Sequence, residues 1–144
     1  VGTQALEMIG ASGVTAEWGK AVTVAVTDTG LSASSAQGME EGHGTAMASL
    51  IVGGVPPARG AAPGATLLDF PVLGKEGVGD AFSLAQAILK AVDLGARVIN
   101  MSLGSPGDSS VVREAVAYAL SKNVALRGIV RLSGMPSPMP WHET

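Results

Sequence analysis

The chain has 144 residues, 47% hydrophobic and 15% charged, which is enough for one domain with a real core and too apolar for a disordered segment. It has no cysteine, which excludes disulfide staples, thiolate metal ligands and a cysteine nucleophile among these residues. A formal charge of −3 and five scattered aromatics (Trp18, Phe70, Phe82, Tyr118, Trp141) give neither a basic groove nor a row of stacking platforms, so nucleic acid is not expected as a partner.

In chain order, residues 4–19 read as short helical pieces broken at Gly10 and Gly13, with Ser12 placed to cap a turn ending at Trp18. Val22 to Thr27 is a β-branched run, apolar on both parities, as in a strand buried on both faces of a parallel sheet. It stops at Asp28-Thr29-Gly30, and residues 31–42, small, polar and acidic, read as a surface loop. A helix is predicted from His43 to about Val52, with Met47, Leu50 and Ile51 as its apolar stripe.

After a turn rich in Gly and Pro from Gly53 to Gly64, Thr66 to Val72 reads as a second buried strand. Asp80 is placed to cap a helix running to Leu94 and closed by Gly95. Arg97 to Met101 is predicted as a third strand, Asp108 to Lys122 as a helix and Val124 to Leu126 as the start of a fourth strand. This alternation predicts an α/β fold in three layers, a mostly parallel sheet with helices on both faces. From Arg127 the rhythm breaks into prolines and scattered charges, so residues 1–126 are read as a partial domain and 127–144 as an irregular tail. No apolar run approaches the roughly 18 residues of a membrane span. The chain starts at Val1 with no basic segment leading into an apolar run, so any targeting peptide is expected to be removed or left out.

Sites in open α/β sheets form outside the carboxyl ends of the strands. Three polar segments are predicted at such ends: Asp28, His43, and Asn100-Met-Ser-Leu-Gly104. A carboxylate beside an imidazole fixes its tautomer and stabilises the imidazolium, as a general base acting on a hydroxyl requires. Taken singly, Asp-Thr-Gly is also an ordinary turn, His-Gly-Thr an ordinary helix start and Ser-Leu-Gly an ordinary strand exit.

In context they agree. Val22-Thr-Val-Ala-Val-Thr-Asp28-Thr-Gly30 resembles the aspartate block of the subtilisin-like serine peptidases, the subtilases, and Gly42-His43-Gly-Thr-Ala-Met-Ala-Ser49 resembles their histidine block. Gly60-Ala-Ala-Pro-Gly-Ala-Thr-Leu-Leu-Asp69, Val72-Leu-Gly and Val98-Ile-Asn-Met-Ser-Leu-Gly104 are similar to the segment from the family's second strand to its substrate-binding strand. The likeness covers about residues 5–126, in the family order Asp, then His. It implies an endopeptidase in which Asp28 orients the imidazole, His43 is general base and acid, and Ser102, Leu103 and Gly104 form the edge that pairs with the substrate backbone. It also implies a peptide or protein substrate and a secreted or periplasmic location. Calcium is common in the family, but the turn from Gly53 to Gly64 contains no carboxylate, so no cofactor or metal site is supported there.

The chain departs from that pattern in three places. Only 14 residues separate Asp28 from His43, a trimmed loop. Where the family has a Gly-Asn step that supplies an oxyanion donor, the chain reads Arg127-Gly-Ile-Val-Arg-Leu-Ser-Gly134, and no Gly-Thr-Ser-Met-Ala nucleophile block occurs. Leu132-Ser133-Gly-Met-Pro-Ser137-Pro138 has some likeness to a serine block lacking its centre, but nothing pins either hydroxyl on the tight turn a nucleophile needs, and the tail is read as foreign to the fold. Activity of the chain alone is therefore expected to be absent or very low.

The same residues admit three other readings. Asp-Thr-Gly also marks aspartic peptidases, whose all-β folds leave no place for helices at 80–94 and 108–122. Gly42 to Ala48 as a phosphate loop fails because Met47 stands where the third glycine would be and Glu40-Glu41 would repel phosphate. The alternative that shares the resemblance is a non-catalytic, peptidase-derived domain that binds peptides or a second copy through an exposed sheet edge.

Overall fold

The structure, a computed structural model, describes residues 2–31, 42–54, 59–74, 77–103 and 109–128. The expected loop at 31–42 falls outside these apart from its ends, and so do Gly104, Asp108 and residues 129–144 with Ser133 and Ser137.

Four strands, β1 (Thr23–Asp28), β2 (Thr66–Pro71), β3 (Val98–Met101) and β4 (Ala125–Gly128), form a parallel sheet in the order β2-β1-β3-β4. The helices are α1 (Gly2–Met8), α2 (His43–Val52), α3 (Ala81–Asp93) and α4 (Ser110–Ser121). β1 is flanked on both sides, and Ala25, Val26, Thr27 and Asp28 are all fully inaccessible to solvent. That central position is why its sequence is apolar on both parities.

Alternation along β1 sends Ala25 into the main core with Leu84 and Ile88 of α3, Val112 and Val116 of α4, and Ile99 of β3. Val24, Val26 and Asp28 point to the opposite face, where the start of α2 lies against Asp28. The connectivity requires this division. The chain leaves β1 for β2 through α2, then returns past β1 to β3 through α3, and right-handed crossovers in opposite directions place their helices on opposite faces. The reversal makes the carboxyl ends of β1 and β3 a topological switch point.

Helices α3 and α4 are bounded by local chemistry. Asp80 accepts hydrogen bonds from the Ser83 backbone N–H at 2.8 Å and the Ser83 hydroxyl at 2.6 Å, which hold its carboxyl below the ordinary carboxylate range. Ser109 caps α4 by accepting from Val112 N–H. Both helices end on a left-handed residue, Gly95 (φ 82°) and Asn123 (φ 58°). The next N–H reaches back to close the turn, Ala96 to the Ala91 carbonyl at 2.9 Å and Val124 to the Ala119 carbonyl at 3.1 Å. Ala96 and Val124 are thereby buried at the entries to β3 and β4.

Three expectations are corrected. In place of several short helical pieces, the first segment is one seven-residue helix, α1, followed by turns, and Leu6, Ala11 and Val14 form a small separate cluster. β2 is an edge strand with Thr66, Asp69 and Pro71 exposed, because among the described residues it pairs only with β1. In α2, Leu50 is 48% exposed, and the buried residues are Gly44 and Ala48. Periodicity picks out large apolar side chains, whereas a helix this close to a strand end buries its smallest ones.

Candidate active site

β1 delivers Asp28 to the carboxyl edge of the sheet and α2 begins with His43. His43 Nδ1 lies 2.8 Å from Asp28 Oδ2 and 3.0 Å from Oδ1. The Asp28 side chain is fully buried while that of His43 is about half exposed. A carboxylate removed from water must be paired, and Asp28 is: besides the imidazole, Oδ1 accepts the Thr29 backbone N–H at 2.7 Å. Its backbone carbonyl accepts from both Val72 N–H (2.9 Å) and Leu73 N–H (3.0 Å), which ties the end of β1 to the segment leaving β2.

The carboxylate accepts hydrogen bonds only, so the proton of this contact sits on Nδ1 and the neutral ring presents Nε2 as an acceptor on its opposite edge. The backbone is as close as the side chains here. A Cβ on Gly44 would lie 2.6 Å from the Gly30 carbonyl oxygen and 3.2 Å from Asp28 Cβ, so only glycine lets α2 start this near β1. Gly44 N–H donates to Thr29 Oγ1 at 3.0 Å, and Asp69 Oδ2 accepts from Leu31 N–H at 3.1 Å as the chain leaves the site.

Ser102 and Leu103 follow β3 and are half-buried. Val26 is level with Asn100, so continuing the parallel register brings Ser102 level with Asp28 at the same edge. Ser102 Oγ accepts from Asn100 Nδ2 at 2.8 Å, the Asn100 carbonyl accepts from the Thr27 hydroxyl at 3.2 Å, and Leu103 packs against the main core. Gly104 lies outside the described residues. Thr29, Gly44 and Asn100 were not singled out from the sequence for the contacts they make. Among the described residues, no group of three or more acidic or histidine side chains is placed to hold a metal ion.

The switch point of this parallel sheet thus carries a buried carboxylate paired to a helix-initial histidine. The sequence pattern of the subtilase family matches residues 33–130, and the chain belongs to that family. It is 40% identical over 123 residues to a subtilisin of Bacillus sp. (strain TA39), covering 80% of this chain and 28% of that protein. It is 38% identical over 126 residues to Subtilisin Savinase of Lederbergia lenta, covering 74% of this chain and 46% of that one. Among solved structures, Sphericase superposes with a TM-score of 0.66 at 30% identity, over 77% of this chain and 46% of its own. The S41 psychrophilic protease superposes with a TM-score of 0.64 at 33% identity over the same shares. The chain thus spans less than half the length of these relatives.

Proposed function

We propose that this chain carries the carboxylate and imidazole half of a serine endopeptidase site. In this reading Asp28 holds the His43 ring with its proton on Nδ1, and His43 Nε2 takes the proton of an attacking serine and returns it to the leaving amine. Ser102, Leu103 and Gly104 offer backbone groups to an extended peptide, so unfolded or loop segments of proteins are the substrates. The observation that supports this most is the 2.8 Å contact between His43 Nδ1 and a fully buried Asp28 carboxylate. The absence of a Gly-Thr-Ser-Met-Ala block from the 144 residues supports the further reading that this chain alone turns over little or nothing and binds peptides at its sheet edge. Export from the cell follows the same proposal; among the described residues no helix is long and apolar enough to cross a membrane.

Imidazole nitrogen-15 NMR tests the pair directly. The neutral ring of His43 is expected to hold its proton on Nδ1, and Asp28→Asn is expected to abolish that preference, because a side-chain amide turned to donate favours the other tautomer. A ring that ignores the substitution overturns the assignment. A fluorophosphonate probe tests the nucleophile: no labelling is expected, and modification mapped to Ser133 or Ser137 overturns the reading that this chain alone is inactive.

A further inference from the structure

The N-terminus of α2 has no cap of its own. Gly42 occupies the capping position in extended conformation (φ −61°, ψ 157°) and makes no side-chain capping hydrogen bond. The first-turn N–H of Gly44 instead donates to Thr29 Oγ1 at 3.0 Å, a hydroxyl fifteen residues earlier in the chain, on the turn that follows β1. That is the bond a serine or threonine at position 42 would ordinarily accept.

Two further contacts give this bond a role beyond closing a helix. The Thr29 backbone N–H donates to Asp28 Oδ1 at 2.7 Å, so one residue holds the carboxylate through its main chain and the histidine-bearing helix through its side chain. A Cβ built at Gly42 would come 3.3 Å from Thr29 Oγ1, so a local capping side chain would crowd the hydroxyl that does the work. We propose that Thr29 is a positioning residue for the pair: its hydroxyl caps α2 from outside and so sets the height of His43 above Asp28. The inference rests on the Asp28–His43 reading and deepens it.

The test uses the full chain with Thr29→Val, which keeps the shape and removes the hydroxyl, and Thr29→Ser, which keeps the hydroxyl. Thr29→Val is expected to speed hydrogen exchange at the Gly44 amide by about 5- to 10-fold, the effect of losing one helix cap, while Thr29→Ser leaves it near wild type. The His43 nitrogen-15 shifts are expected to move toward those of a free imidazole in Thr29→Val and to be restored in Thr29→Ser, a change that general destabilisation of a folded chain would not produce. Unchanged Gly44 exchange in Thr29→Val overturns the inference and leaves the Asp28–His43 reading standing. A wild-type ring with no preference for the Nδ1 proton overturns that reading and the positioning role with it. Should Thr29→Val not fold, the wild-type chain decides: the Gly44 amide is expected to exchange at least about tenfold slower than an open-chain amide, and exchange at the open-chain rate overturns the proposal.

Discussion

The two faces of the sheet are built by different means. On one, α3 and α4 press Leu84, Ile88, Val112 and Val116 onto Ala25 and Ile99, and the bulk of these side chains holds the layers together. On the other, the start of α2 meets the end of β1 through glycine, alanine and hydrogen bonds, with Gly44 against the Gly30 carbonyl and His43 against Asp28. Apolar packing is strong but indifferent to direction. A carboxylate and an imidazole that share a proton are not, so the site is placed by backbone approach and directional bonds.

The comparison breaks most visibly on the packed face. Ile99→Ala, at a fully buried position, is expected to cost about 2–5 kcal/mol in denaturant unfolding, with the His43 imidazole signals of the molecules that remain folded unchanged. Gly44→Ala is expected to cost less, about 1–3 kcal/mol, because its methyl group meets backbone that cannot rotate away, yet it should push His43 off Asp28 and erase the Nδ1 preference. The substitution with the smaller stability effect thus has the larger effect on the site, and equal disturbance of His43 by both would dissolve the distinction.

The smallest effect is expected at Asp80, exposed at the start of α3 and far in the chain from the site. Its pKa is lowered by the Ser83 hydroxyl first and the Ser83 amide second. A carboxyl lowered in the folded state adds stability that is fully present above its unfolded value of about 3.9 and is lost as pH falls through the lower folded value. Asp80→Asn, which retains a capping oxygen, should therefore melt slightly below wild type at neutral pH, with the gap closing in acid. A gap that widens in acid would contradict the assignment.

Much of the fold was legible because its signals are local. The run Val22 to Thr27, the cap at Asp80 and the stop at Gly95 each express a preference that a few neighbouring residues settle, and α2 begins at His43 as its pattern requires. What was not legible depends on distance in space. Leu50 looks like core until the helix is placed so close that only Gly44 and Ala48 fit beneath it. Thr29 looks like a turn residue, since capping rules search next to a helix and its hydroxyl arrives from a different element. β2 reads as buried because its composition is that of an interior strand, and its place at the edge follows from the order of crossovers.

The double grip on the Asp28 carbonyl has a consequence for motion. With Val72 and Leu73 both fastened to it and strands on either side of β1, Asp28 is anchored within the sheet, whereas His43 is the first residue of a helix. Any loosening at this edge is therefore expected to begin at His43, in the first turn of α2, before it reaches Asp28.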